Sequence, residues 1–175
     1  MKTNRTLKLI TLTAAIFGFA ATSFGQNSAN ANANAGARIV NPITITNNRP
    51  LYFGDIAKPN AISTVTILAQ DDLSRTSDNN SILIPTSTVS PSSAKFTITG
   101  EPSYKYSVTL PATATITSTG NPDMTIDLTM DNAASGNSIG EGGNAVLYVG
   151  GILHLASGQG VGSYTGSFNV SVAYE

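Results

Sequence analysis

Gly136-Asn137-Ser138-Ile139-Gly140 has the G-x-S-x-G spacing that presents a nucleophilic serine in many hydrolases. Glu141 and His154 follow it in the order serine, acid, histidine. That chemistry needs an imidazole to take the serine proton and a carboxylate to orient the imidazole. It also needs a strand that turns sharply into a helix, so that the hydroxyl stands clear of a parallel sheet. Here the string lies in a Gly/Asn-rich stretch, and the pattern that follows it is another strand. The elbow is missing, and the sequence predicts no enzyme. His154, the one histidine, falls on the same face of an extended Ala145–Leu155 as Val146, Tyr148 and Ile152, which predicts a core-edge or strand-packing histidine.

Two groups of carboxylates invite a cation. Asp71, Asp72 and Asp78 share a loop, and Asp123, Asp127 and Asp131 flank a strand. Neither has the spacing of a compact calcium loop closed by a bidentate Glu, so solvated loop acids are the expectation. With no cysteine and a single histidine, zinc and thiol chemistry lack their ligands. The Gly136–Gly143 stretch carries no lysine and reads as a flexible connection, not a phosphate loop. No tryptophan offers a sugar-stacking platform. No cofactor is expected.

Lys2, Arg5 and Lys8 precede an uncharged apolar run, Leu9 to Ala21, and Ser23-Phe24-Gly25 places small residues at −3 and −1 of a cleavage site. Residues 1–25 are therefore expected to be a signal peptide, leaving Gln26 as the mature start. The run falls short of the ~20 residues that span a bilayer, so the mature chain is not expected to be membrane-spanning. Cleavage removes three of the nine cations and none of the ten acids, which leaves a formal net charge of −4. A chain without a basic patch is not expected to bind nucleic acid. Periplasm, cell surface or extracellular medium are the expected locations.

Gln26–Gly36 alternates Asn and Ala with no large apolar residue and reads as a flexible N-terminal arm. Residues 37–175 form one domain with no repeat. Ile39, Asn41, Ile43 and Ile45 share a face of an extended segment broken at Asn47–Pro50, and Leu51–Ile56 is a short apolar piece. Strands are expected at Thr64–Ala69, Ser81–Ile84, Lys95–Thr99, Tyr104–Leu110, Ala112–Thr117, Met124–Met130, Ala145–Leu155 and Gly162–Tyr174. Gly-, Asn-, Ser- and Pro-rich turns separate them. Many short β-branched strands with this punctuation predict an all-β fold, an antiparallel β-sandwich of immunoglobulin-like type. In the last strand Tyr164, Phe168, Val170, Val172 and Tyr174 alternate with small or polar residues, a period of two that buries one face.

Five segments, Pro42–Ile45, Leu51–Ile56, Phe96–Pro102, Val149–Leu153 and Gly162–Phe168, together resemble a bacterial secreted family, domain of unknown function 4402. The resemblance spans about residues 37–175 and implies no particular activity. A second, weaker resemblance is to chaperone–usher pilin subunits and the spore-coat-protein-U-like domains. Those end in a patterned strand with a penultimate tyrosine and a glycine upstream, matched here by Tyr174 and Gly162. That resemblance implies an incomplete sandwich completed by the N-terminal arm of the next subunit. Its assembly residues would be Gly162, Tyr164, Phe168, Val170, Val172 and Tyr174, and its donor residues Ala29, Ala31, Ala33, Ala35, Ala37 and Ile39. Its partners would be like subunits and a periplasmic chaperone and usher. The expected function is thus an exported structural or adhesive surface protein, pilin-like and fimbrial. The alternative is a stand-alone secreted β-sandwich module that binds a sugar, small ligand or host surface.

Overall fold

Among the described residues, ten strands form where β-branched residues alternate with polar ones or where short segments bridge them. In chain order they are β1 (Thr44–Arg49), β2 (Ser63–Ile67), β3 (Thr76–Ser77), β4 (Ala94–Thr99), β5 (Lys105–Thr109), β6 (Thr113–Ile116), β7 (Met124–Met130), β8 (Asn137–Ser138), β9 (Asn144–Leu155) and β10 (Ser171–Tyr174). The computed structural model describes residues 28–132 and 135–175. The signal segment expected at 1–25, and Gln26 at the head of the arm, lie outside the described residues. Residues 28–38 fall outside the unit Ile39–Glu175. They form no strand, and each is exposed.

β9 is the spine of the larger sheet. β7 runs along one of its edges, pairing Ile126 with Leu153 and Met130 with Val149. β4 and β2 share the opposite edge end to end, with Ala94 opposite Val149 and Ile67 opposite Gly151. At the junction a Cβ on Gly150 would strike the backbone of Ile67 and Ala69, so only glycine lets the two strands meet there. β1 adds to β4, β3 to β2 and β6 to β7, all antiparallel. The smaller sheet is β10-β5-β8.

The period of two then builds the core. Leu147, Val149, Leu153 and Leu155 of β9 are buried, whereas Val146, Tyr148, Ile152 and His154 face outward. They meet Val65, Ile67, Phe96, Ile98, Ile126 and Leu128 from the neighbouring strands and Tyr106 and Val108 from β5. The fold is an all-β antiparallel sandwich.

Several local expectations are corrected. Ser81–Ile84 is not a strand; Asn80–Ile82 is a 3₁₀ turn, because Ser77, Asn79 and Ser81 bond to their own neighbourhood. Leu51–Ile56 makes only the isolated bridges Tyr52–Ser92 and Ile56–Leu83, since Gly54 at φ 75° bends the segment out of a ladder. β1 does not break at Asn47. It bulges between Asn47 and Arg49 and continues. The short strands β3 and β8 lie in segments read as turns.

The largest correction concerns Gly162–Tyr174, of which only Ser171–Tyr174 is a strand. Thr165 bridges Thr117, and Ser171 faces Thr109. Six residue steps on the terminal segment thus answer eight on the facing one. That facing stretch contains Pro111, which has no N–H to give. The facing stretch passes from β5 in the smaller sheet to β6 in the larger, and a gap of about 530 Å³ lies there, bordered by Leu110, Pro111, Ala114 and Phe168. The alternation itself persists through the gap, with Tyr164, Phe168, Val170, Val172 and Tyr174 half-buried and the residues between them exposed.

Candidate functional site

The first and last strands each close a sheet, and each leaves an edge open. β1 ends the larger sheet and β10 the smaller. The Glu175 N–H bonds to the Lys105 carbonyl at 3.2 Å. By the alternation of an antiparallel ladder, Ser171 and Ala173 therefore turn their backbone groups toward β5, and Val172 and Tyr174 turn theirs to the open edge.

Side chains tell the same story. Interior strands seal their core faces completely: Val65, Ile98, Leu147 and Val149 are each 0% exposed. Ile43, Ile45 and Leu51 on the first-strand side, and Phe168, Val170 and Val172 on the terminal side, pack against that core but stay half-covered. A seam of incompletely buried apolar residues runs between the two.

One end of the seam is clasped. The Tyr174 hydroxyl donates to the Asn41 carbonyl at 2.8 Å and accepts from the Glu101 N–H at 2.7 Å. Glu101 Oε2 in turn accepts from both the backbone N–H and the side-chain Nδ2 of Asn41. The ring lies edge-on to Tyr104, 5.7 Å between centroids. Gly100 is needed there, because a Cβ would press on the Tyr174 hydroxyl and Ile139.

The other end opens into a cavity of about 570 Å³. Its walls continue the seam: Leu51–Pro59 extends from β1, and Gln159–Gly166 leads into the terminal segment. Ile116, Met124, Ile126, Leu153 and Leu155 form an apolar floor. Tyr164 donates to Gly160 O at 2.9 Å and accepts from Gln159 Nε2 at 3.0 Å, which fixes the terminal wall. Arg75 holds the opposite wall. Its guanidinium donates to the carbonyls of Phe53, Asp55 (2.8 Å) and Ile84 (2.9 Å). Burial pushes the Arg75 guanidinium below its ordinary value, and the Asp55 charge opposes that shift. Asp55 accepts from the Thr88 N–H at 2.7 Å, and this bond holds its carboxyl below the usual carboxylate range. Sequence reasoning missed Arg75, the Asn41–Glu101 pair and Gln159. The one signal was a lone cation in a Ser/Thr/Asn-rich loop.

The structure brings the sequence-derived assembly residues Tyr164, Phe168, Val170, Val172 and Tyr174 onto one edge of this seam. Gly162 is exposed, and a Cβ there would meet the Ser118 hydroxyl at 2.6 Å. Ala29, Ala31, Ala33, Ala35, Ala37 and Ile39 are exposed. The hydrolase-like trio does not assemble. Ser138 is in the smaller sheet opposite Lys105, while His154 points from the outer face of the larger sheet to Asp127, Nε2 to Oδ2 2.8 Å. The expectation of a core-edge histidine is corrected to an exposed cross-strand partner of Asp127.

Asp71, Asp72, Asp78, Asp127 and Asp131 are engaged by protein groups. Asp71 meets Arg49 at 3.1 Å and Lys95 at 3.4 Å. Asp72 binds Ser74, Asp78 accepts from the Thr64 N–H at 2.8 Å, and Asp131 accepts from the Tyr148 N–H at 2.8 Å. Among the described residues, no group of three His, Asp or Glu side chains could hold a metal ion.

The family described as Domain of unknown function (DUF4402) matches residues 43–174, the whole of the sandwich from Ile43 to Tyr174. The chain belongs to this family. Comparison with curated proteins and with solved structures gave no match. In this DUF4402 domain the matched region begins at the first wall of the seam and ends at the clasp tyrosine.

Proposed function

We propose that this DUF4402 protein is an exported structural or adhesive surface subunit, pilin-like, that assembles by β-strand addition. One observation carries the reading: the core-facing apolar side chains of the first and last strands remain half-exposed along two open edges. An open edge beside uncovered apolar surface invites pairing with another chain, and folded proteins cover such edges unless they use them. An added strand supplies the missing backbone partners and seals the alternate side chains. The pilin-like placing of Gly162 and Tyr174 in the sequence points the same way, and the proposed partners are like subunits and a periplasmic chaperone and usher. Surface, periplasmic or extracellular placement follows from the signal-like segment.

The test is deletion of Gln26–Gly36 from the secreted protein. Strand addition requires that multimers surviving mild denaturant without boiling disappear, and that a peptide of residues 28–39 binds the truncated domain. A truncated protein that forms the same multimers refutes it. The cavity of about 570 Å³ favours a second reading, a stand-alone module that takes a small ligand between Leu51–Pro59 and Gln159–Gly166. A monomeric, fully functional truncated protein selects that reading instead.

A further inference from the structure

The seam is a wedge, and the arm is a wedge as well. We infer that the arm of a second copy enters in one direction only. Ile39 is seated in the wide end between Leu51–Ala57 and Gly160–Tyr164, and the alanine row runs toward the Tyr174 clasp. This rests on the strand-addition reading and gives it an anchor, a polarity and a register.

The wide end is the cavity of about 570 Å³. The narrow end is pinched shut where the Tyr174 hydroxyl reaches the Asn41 carbonyl at 2.8 Å. In extended form residues 28–39 alternate strictly. Ser28, Asn30, Asn32, Asn34, Gly36 and Arg38 fall on one face, and Ala29, Ala31, Ala33, Ala35, Ala37 and Ile39 on the other. Among them Ile39 is the one large apolar side chain, and it stands 97% exposed. A strand whose inward face is five alanines and one isoleucine suits a groove that is deep at one end and closed at the other. A uniform row of bulky residues would not enter the narrow part, and a uniform row of alanines would leave the deep part empty.

Lengths agree too. Ala29 to Ile39 and Tyr164 to Tyr174 each cover ten residue steps, about 33 Å when fully extended, and Ser171–Tyr174 is already strand. Tyr164 lies at the wide end and Tyr174 at the narrow end, so an arm with Ile39 at the wide end runs antiparallel to the terminal segment. Antiparallel pairing is the better-bonded arrangement per residue. The lip of the cavity carries Val161, 83% exposed, and Ile62, 82% exposed, stands three residues beyond the Pro59 wall. Val161, on the lip, is placed to fold over the anchor.

The chain has no cysteine, so paired cysteines report the register directly. Copies carrying Ile39→Cys are mixed with copies carrying Val161→Cys, and copies carrying Asn30→Cys with copies carrying Ala173→Cys, whose side chains share the outward face in this register, and each mixture is oxidised during assembly. Both pairs are expected to give intermolecular disulfides in most subunits. Swapped pairs, Ile39→Cys with Ala173→Cys and Asn30→Cys with Val161→Cys, are expected to give none. Ile39→Ala is expected to lower the denaturant needed to separate subunits, with Ala33→Gly changing it far less. Cross-linking by the swapped pairs, or multimers with no cross-link by any pair, overturns the register while leaving strand addition standing. A full-length chain that never forms multimers sinks strand addition itself, and the register with it.

Discussion

Tyr174→Phe removes one oxygen and isolates the clasp. The ring keeps its place beside Tyr104 and Gly100, but the Glu101 N–H loses its acceptor at 2.7 Å and the Asn41 carbonyl its donor at 2.8 Å. A typical intramolecular hydrogen bond contributes about 0.5–1.5 kcal/mol net, and a partly buried group left unpaired costs more than an exposed one. Glu101 N is part-buried, whereas Asn41 O is open to water and recovers a solvent partner. The first bond therefore counts in full and the second only in part, giving a loss of about 1–2 kcal/mol. For a domain of this size that lowers Tm by about 3–6 °C. In urea the midpoint should fall with the slope m unchanged, because the surface exposed on unfolding is the same. The terminal residues should also become the first site of limited proteolysis. A Tyr174→Phe protein within 0.3 kcal/mol of wild type, with equal protection of its C-terminus, would refute the clasp; that threshold is roughly the resolution of such ΔΔG comparisons.

Three further outcomes follow from the same contacts. Arg75→Ala strips donors from three carbonyls and should cost at least about 2 kcal/mol while loosening the Phe53–Asp55 wall, and Arg75→Lys should recover only part, since a lone ammonium cannot reproduce the planar fork; equilibrium unfolding and proteolysis near Phe53 read both. Asp55, Asp71 and Asp78 have carboxyls held below their ordinary values, chiefly by the Thr88 N–H, the Tyr148 hydroxyl and the Thr64 N–H. A folded value below the unfolded one adds stability above the unfolded value, near 4, that is lost as pH falls through the folded values, so thermal melts should be flat from pH 7 to about 5 and drop below about 4. Ser138→Ala should leave biological activity and stability unchanged, and fluorophosphonate labelling of Ser138 that His154→Ala abolishes would overturn the non-enzymatic reading.

The elements that the sequence revealed most clearly are those that alternate most regularly. β2, β4, β7 and β9 alternate so regularly that Val65, Ile98, Ile126 and Leu147 announce their own burial. Two-residue β3 and β8 were hidden, because nothing local distinguishes Thr76–Ser77 or Asn137–Ser138 from turn residues until a distant strand pairs with them. The terminal segment shows the limit most clearly. Its period of two foretold which side chains face the core, and the half-burial of Tyr164, Phe168, Val170, Val172 and Tyr174 follows it. Its ladder could not be foretold, because the eight-against-six mismatch at Pro111 belongs to the facing chain. The same holds for the site. One wall was legible in the alternation, whereas the other depends on Arg75 reaching carbonyls 22, 20 and 9 residues away.

Backbone amide hydrogen exchange at Val172 and Tyr174 tests strand addition most directly. Their N–H groups face the open edge, so an added strand gives them partners that the isolated domain lacks. Assembly through the arm requires slow exchange at both amides in full-length multimers and fast exchange in the protein lacking Gln26–Gly36, with protection restored by a peptide of residues 28–39. Equal exchange at Val172 and Tyr174 in all three samples would contradict it.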